Sequence, residues 1–462
     1  MNDEVDSISS DNLPRARRTS HVRLDAVLGR NGEALSPRAL RKLLEQLQAV
    51  IDPRIGEIEG GRRARALIDW YESATLEERL DLWQLMSEQF VADQSKAKAA
   101  QAEYVAAIGT PDEAAAEVRL RRDTVSPRRR ILQRISVLPE GVRFLVDMRE
   151  QLLPHLRAHP TLAALDVEME YMFSTWFDVG FLELRRMSWD SPASLLEKLI
   201  KYEAVHDIRS WADLKNRLDS DRRCYGFFHP RLPQEPLIFV EVALLGNLAE
   251  SITPLLDESA AAADLTKATT AIFYSISNTQ PGLRGVSFGD SLIKRVVDEL
   301  KEEFPRLKVF ATLSPIPGLR NWLGKNASRL LKSAPARTQQ ALGREVGEPV
   351  TSKALLAALE RVAELSETSA LRRWLMSCGS EYLARGIDGI RPIDPVARFH
   401  LGNGARVERL NWLADPSPKG LKQSYGLMVN YLYDLNRLDK HRAMLAQAKI
   451  PVSGQIKGLI ST

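Results

Sequence analysis

The sequence predicts an α+β protein, an all-α helical N-terminal domain followed by a mixed α/β domain that carries the chemistry. Three observations predict it. Residues 31–205 place apolar side chains at helical spacing behind capping residues, and strand-like runs are nearly absent there. After residue 205, short runs rich in β-branched and aromatic residues alternate with helical stretches. One of these runs passes through a glycine loop into an amphipathic helix, between Lys267 and Phe304.

A length of 462 residues allows two or more domains, each able to bury a core. We read 1–30 as a disordered tail, 31–205 as the helical domain and 206–462 as the catalytic domain. Hydrophobic content of 44% and charged content of 27% fit a globular protein. No apolar run approaches the ~20 residues that span a bilayer. The opening stretch, MNDEVDSISSDNLPRARR, lacks the apolar core of a secretory signal and the acid-poor character of a mitochondrial presequence. A cytoplasmic protein without membrane attachment is the simplest reading. The net charge of +4 is slight for this length and makes no case for nucleic acid. The densest basic run, Arg119 to Arg130, has no interleaved aromatics and follows Glu113 and Glu117. It reads as a solvated or subunit-facing helix surface, with an anion patch as the alternative. Cys224 and Cys378 have no metal or redox spacing and read as small packing groups.

The first predicted helix opens at Ser36-Pro37, and Leu40, Leu43, Leu44, Leu47 and Ile51 fill one face. Asp52-Pro53 ends it. Thr75 with Glu78, and Thr110 with Glu113, form capping boxes, and Ser191-Pro192 opens a further helix. In the second half, Pro236–Leu245, Thr270–Ser277, Leu307–Leu313 and Val396–Leu401 read as strands. Asn403-Gly404 reads as a tight turn and Arg406–Trp412 as the return strand. Helices are predicted over 291–304, about 319–333, about 351–365 and about 420–435, so that residues 315–390 form a helical insertion between strands.

The segment from Thr270 to Phe304 is a strand, a loop holding Gly282, Gly285 and Gly289, and a helix. That arrangement offers free backbone N–H groups to a phosphate, and glycine leaves the approach open. The loop matches neither a dinucleotide fingerprint nor a Walker loop. It suits the pyrophosphate of coenzyme A, and it also suits an ordinary strand-to-helix turn. Among familiar catalytic motifs, H-E-x-x-H and C-x-x-C are missing. Two polar residues stand where polarity is costly. Ser314 ends a strand and precedes the stiff turn Pro315-Ile316-Pro317-Gly318, so its hydroxyl would be fixed at a strand end. His400 lies between Phe399 and Leu401 in a predicted strand. Each is either a structural polar group or a member of a site.

Several long motifs resemble one family. They are Arg223-Cys224-Tyr225-Gly226-Phe227-Phe228-His229-Pro230 with the following Glu235-Pro236-Leu237-Ile238-Phe239-Val240-Glu241, then FYSISNTQPGLRGVSFGDSLIKRVV (273–297), LSPIPG (313–318) and FHLGNGARVERLNWLADPSPKGLKQSYGLMVNYLY (399–433). Together they resemble the malonyl-CoA decarboxylases over most of residues 220–435. The resemblance implies that the helical domain serves oligomer assembly, as a dimer or tetramer. It implies an acetyltransferase-like (GNAT) catalytic domain at 206–462. It implies a carboxy-lyase of fatty acid metabolism, with malonyl-CoA as substrate, acetyl-CoA and CO2 as products, and no metal or other cofactor. Ser314 and His400 match the family's catalytic pair, and Ser275 and Tyr433 match a further serine and a tyrosine of a predicted helix. The coenzyme A loop maps onto Gly282, Arg284, Gly285, Val286, Ser287, Phe288, Gly289 and Asp290. Some members carry a glutamate where this chain has Ser287, so no carboxylate role is carried over to that position.

The chemistry suits these residue types. Loss of CO2 leaves a thioester enolate, whose carbonyl is itself the electron sink. Such a site needs donors at the developing oxyanion and a proton source for the α-carbon. Ser314 and His400 can both donate, and the sequence leaves open which one delivers the proton. Two alternatives remain at this stage: an acyl-CoA-dependent N-acetyltransferase of the same fold, and a non-catalytic coenzyme A-binding regulator.

Overall fold

The computed structural model describes residues 34–286 and 292–460. The predicted tail and the loop positions Ser287, Phe288, Gly289 and Asp290 lie outside the described residues. The chain forms two compact units. One comprises residues up to 177 together with the loop at 280–286, and the other comprises 178–279 and the chain from 292 onward.

The first unit is all helical, as the sequence predicts. Its helices are α1 (Pro37–Ile51), α2 (Glu57–Ser73), α3 (Leu76–Gln89), α4 (Gln94–Ala107), α5 (Glu113–Thr124), α6 (Pro127–Ser136), α7 (Gly141–Leu152) and α8 (Ala163–Trp176). Ser36 caps α1 through a bond from Ala39 N–H, and Thr75 with Glu78 closes a full capping box on α3. Leu47, Leu67, Trp83, Leu145 and Phe173 are among its buried core residues. The pair α4 and α5 buries little beyond Ala100, Ala107 and Ala116. The basic run is not uniformly solvated. Arg128 is buried and donates 2.9 Å to the carbonyl of Ser87, and Arg129 pairs with Glu168.

The second unit begins before residue 206, because Glu183–Met187 (β1) pairs with Arg222–His229 (β2) and so belongs to the sheet. The sheet continues with β3 (Leu232–Leu245), β4 (Thr270–Asn278), β5 (Val309–Thr312) and β6 (Ser314–Pro315). A separate short hairpin is β7 (Ile387–Asp388) with β8 (Arg391–Pro392), and β9 (Arg406–Asn411) and β10 (Met428–Leu432) complete the main sheet. The order is β1-β2-β3-β4-β5-β10-β6, with β9 on β10. Every described pairing in this sheet is antiparallel except β4 with β5. The helices of this unit are α9 (Ala193–Tyr202), α10 (Trp211–Arg217), α11 (Thr253–Leu256), α12 (Leu292–Glu303), α13 (Leu319–Ser333), α14 (Ala336–Val346), α15 (Ser352–Ala358), α16 (Ala370–Arg385), α17 (Pro395–Gly402), α18 (Pro418–Ser424), α19 (Leu438–Ala446) and α20 (Gly454–Ile460).

Two predicted elements change type. Val396–Leu401 is not a strand but the body of α17. Asp394 caps that helix, and Pro395 occupies its first turn, so the chain is set helical before the apolar alternation can act. The expected helix over about 420–435 stops at Ser424. Tyr425 and Gly426 take left-handed conformations with φ of 56° and 78°, and the β-branched and aromatic run that follows becomes β10. Arg406–Asn411 is a strand as expected, but its partner is β10.

Two irregularities position the site. The parallel pairing of β4 and β5 ends at Phe273 and Thr312. Beyond it β4 stays with β3, whereas Ser314 pairs with Val429 of β10. A wedge therefore opens at the carboxyl end of this parallel pair, where open α/β sheets take ligands. The register of β3 against β4 slips between Glu241 and Val242. Glu241 faces Ser275 and Val242 faces Phe273, which leaves Tyr274 as a bulged residue.

Candidate active site

Ser314 follows Thr312 and Leu313 at the edge of the wedge, and its hydroxyl is buried. Its Oγ lies 3.2 Å from Nε2 of His400 and donates to Thr312 Oγ1 at 2.8 Å. Thr312 Oγ1 also accepts from the backbone N–H of Tyr431 at 3.1 Å, which ties the serine's partner to β10. His400 projects from the second turn of α17. Its Nδ1 lies 2.7 Å from the hydroxyl of Tyr433, just past the end of β10. The imidazole stacks on Tyr431, with ring centroids 4.7 Å apart. Tyr433 in turn meets the edge of Phe273, at 6.4 Å between centroids.

Each hydroxyl and each neutral imidazole carries a single mobile proton here. When Ser314 donates to Thr312, Nε2–H must donate to Ser314 and Nδ1 must accept from Tyr433. Reversing the relay turns Ser314 toward Nε2 as donor. Burial, with no opposing charge to offset it, pushes the His400 pKa down to about 3, so the ring is neutral near pH 7. Burial likewise pushes the Tyr433 hydroxyl far above the usual phenol range. The group is therefore a set of neutral donors and acceptors, suited to hydrogen-bonding an oxyanion without becoming charged itself.

Ser275 stands elsewhere. Its hydroxyl donates to the Glu203 carboxylate at 2.7 Å, and Ser277 donates to the same group at 3.3 Å. Adjacent residues of a strand face opposite sides of the sheet, and paired residues share a side. Val242 pairs with Phe273 and Glu241 with Ser275, so the Tyr274 bulge turns Ser275 to the side away from Phe273, Tyr433 and His400. On Ser275's side lies a buried ionic cluster. Glu241 pairs with Arg217 at 3.2 Å, and Arg217 pairs with Asp213 at 2.7 Å. Burial first, and Glu203 second, push the Glu241 carboxyl up to about 8.

The glycine loop belongs to the helical unit. The carbonyls of Gly282 and Arg284 each accept from Arg149 Nη1 at 2.8 Å, and Arg149 pairs with Asp166 at 2.7 Å. A Cβ on Gly282 would stand 2.0 Å from the carbonyl oxygen of Val146, so glycine there is demanded by packing on α7. Gly285 has φ of 85°, and a Cβ there would stand 3.5 Å from the Glu170 carboxylate, in ordinary van der Waals contact; Arg284 is exposed and Val286 is buried. Among the described residues no cluster of three or more His, Cys, Asp or Glu gathers to hold a metal, and no helix is long and apolar enough to cross a membrane.

Sequence reasoning missed Thr312, Tyr431, Glu203 and Asp394. The i,i+2 spacing of Thr312 and Ser314 and the Asp394-Pro395 cap were visible signals. The contact of Ser275 with Glu203, 72 positions away, had none.

The family model for the malonyl-CoA decarboxylase C-terminal domain matches residues 180–462, and that for the N-terminal domain matches 90–177. The chain is 40% identical over 362 residues to the mouse protein named malonyl-CoA decarboxylase, mitochondrial, covering 75% of this chain and 73% of that one. It is 39% identical over 364 residues to the protein of the same name from Anser anser anser, covering 75% and 72%. The crystal structure of malonyl-CoA decarboxylase from Rhodopseudomonas palustris superposes with a TM-score of 0.78 at 40% identity, over 91% of this chain and 99% of that one. The structure from Agrobacterium vitis gives 0.79 at 38% identity, over 91% and 100%.

Proposed function

The chain belongs to the malonyl-CoA decarboxylase family, and from that premise we propose that it converts malonyl-CoA to acetyl-CoA and CO2 at the Ser314–His400–Tyr433 group. The observation that carries the site assignment is the buried, neutral imidazole between Ser314 Oγ at 3.2 Å and Tyr433 at 2.7 Å, at the mouth of the sheet's wedge. The bond from the α-carbon to the carboxylate breaks, and its electron pair enters the thioester π system as an enolate. CO2 leaves, and the α-carbon takes up one proton derived from solvent. Ser314 Oγ–H or His400 Nε2–H donates to the enolate oxygen, each contributing ~3 kcal/mol, or about a hundredfold in rate.

The coenzyme A handle is assigned to the loop after β4, Gly282 and Arg284 through Asp290, on the strength of the family resemblance and the exposed Arg284. Neither metal nor other cofactor is required in this scheme, because the thioester supplies the electron sink. The helical unit is assigned to homo-oligomer contacts. Ile58, Val105, Ile108, Val118, Val137 and Val167 are all exposed on it, with Ile58 at 93% of full exposure. A cytoplasmic location completes the proposal.

Mass spectrometry of acyl-CoAs after incubation with malonyl-CoA alone tests it. Acetyl-CoA should accumulate without an acceptor and with EDTA present. Intact malonyl-CoA would remove the decarboxylase reading, and acetyl-CoA consumption only with an amine would favour a transferase. Light scattering that finds a monomer at micromolar concentration would remove the assembly assignment.

A further inference from the structure

The Ser314 hydroxyl and the His400 ring come from segments 86 positions apart, yet their relative placement has to be held to a fraction of an ångström for both to serve one oxyanion. One buried carboxylate touches both supporting segments. Oδ1 of Asp394 accepts from the N–H groups of Val396 and Ala397, both at 3.0 Å, and so starts the helix that carries His400. Oδ2 accepts from the N–H of Gly318 at 3.3 Å and from the Tyr382 hydroxyl at 3.1 Å. Gly318 closes the turn that begins at Ser314, and Pro315 and Pro317 stiffen the path between them. A Cβ on Gly318 would stand 2.1 Å from the Tyr382 oxygen, so the turn runs hard against the tyrosine that shares the carboxylate. Asp394 is only 1% exposed, and no water competes for its oxygens as it would at the surface.

We propose that Asp394 is a positioning residue, setting the separation of Ser314 and His400 by tying the turn after the serine to the helix of the histidine. Tyr382 braces the same tie from α16. The inference rests on the Ser314–His400 reading of the site, and it assigns Asp394 no contact with substrate.

Asp394→Ser separates the tie from the cap, because serine remains a strong N-cap but has no second oxygen. The variant should stay folded, with a melting temperature lowered by the unpaired Gly318 N–H and Tyr382 hydroxyl. Its kcat for malonyl-CoA should fall ~10- to 100-fold while KM moves less than ~3-fold, the pattern of an interaction expressed in the transition state. In a His400→Ala background the same change should cost less than ~2-fold further, since the geometry it protects is already lost. Equal losses in both backgrounds, or parental kcat in folded Asp394→Ser, would overturn the proposal. If Asp394→Ser fails to fold, Tyr382→Phe takes its place, with a kcat loss of ~3- to 10-fold expected and the same non-additivity with His400→Ala. The imidazole NMR spectrum gives a readout independent of activity. The resonance missing in His400→Ala identifies His400, and it should shift in the folded Asp394 or Tyr382 variant. An unmoved resonance overturns the tie even if the enzyme proves to act on another substrate, so that failure of the functional reading stays distinguishable from failure of this one.

Discussion

The hydroxyl of Tyr433 stands 2.7 Å from Nδ1 of His400, and both groups are buried. This contact fixes which imidazole nitrogen is left for Ser314, since a neutral ring has one donor and one acceptor. Tyr433→Phe keeps the ring against Phe273 and removes only the oxygen. We expect kcat to fall ~10-fold with a smaller change in KM. Thermal or urea unfolding should show a loss of ~1–3 kcal/mol, the cost of leaving a buried nitrogen unpaired. An unchanged kcat in this variant would mean that the contact is structural alone.

The depressed pKa of His400 makes stability depend on pH in a defined direction. The unfolded chain takes up this proton near pH 6.5, whereas the folded one takes it up only at about 3. Above pH 6.5 neither state is protonated, and acidification from 6.5 toward 3 favours the unfolded state. The slope from one such group reaches about 1.4 kcal/mol per pH unit. His206, also pushed down by burial, to about 4, adds to the same trend. Comparing the parent with His400→Gln in urea titrations at several pH values isolates His400. The parent's stability should fall more steeply with acid than the variant's. By the same reasoning kcat should show no limb near pH 6.5 due to His400, and a pH–rate profile that loses such a limb in the variant would contradict the neutral-ring picture.

Much of the fold was legible because it is locally encoded. The strands at Pro236–Leu245 and Thr270–Ser277, and the helix over 319–333, each declare themselves in composition and period. The sequence pattern puts His400 on a strand, whereas it lies on a helix. The alternation in Val-Ala-Arg-Phe-His-Leu masks the Asp394-Pro395 start signal, which is of the same kind as the Ser-Pro signal that opens the helix at residue 36. The sequence puts Tyr433 on a helix because the break at Tyr425 and Gly426 lies in backbone angles, not in the apolar pattern. Ser275 could not be assigned a face from the sequence at all. A one-residue bulge inverts the alternation, and only cross-strand register reveals it.

In the proposed mechanism Ser314 and His400 are expected to act as a unit. Ser314→Ala and His400→Ala should each lower kcat by ~10²-fold or more, with much weaker effects on binding of a non-reactive malonyl-CoA analogue. The double variant should lose less than the product of the single losses, because each removes part of the same relay through Thr312, Ser314 and His400. A strictly multiplicative loss, measured in steady-state decarboxylation, would show that the two groups serve separate steps.

Two glycines of one loop should fail in different assays. Gly282 is closed in by the backbone of α7, where a Cβ would meet the Val146 carbonyl oxygen at 2.0 Å. Gly282→Ala must therefore push the loop off the helix and strain the bonds from Arg149 to the Gly282 and Arg284 carbonyls. Its main effect should be on stability, a loss of ~1–3 kcal/mol in urea unfolding. A Cβ on Gly285 would meet nothing closer than the Glu170 carboxylate at 3.5 Å, so its φ of 85° is the constraint. A side chain there costs ~1–2 kcal/mol of backbone strain, and in the proposed role it also blocks a phosphate from the loop's N–H groups. Gly285→Val should therefore raise KM for malonyl-CoA at least ~10-fold while kcat at saturation changes less, because the handle contributes to ground and transition states alike. A folded Gly285→Val protein with parental KM would remove the coenzyme A assignment from this loop and leave Gly282 explained by packing alone.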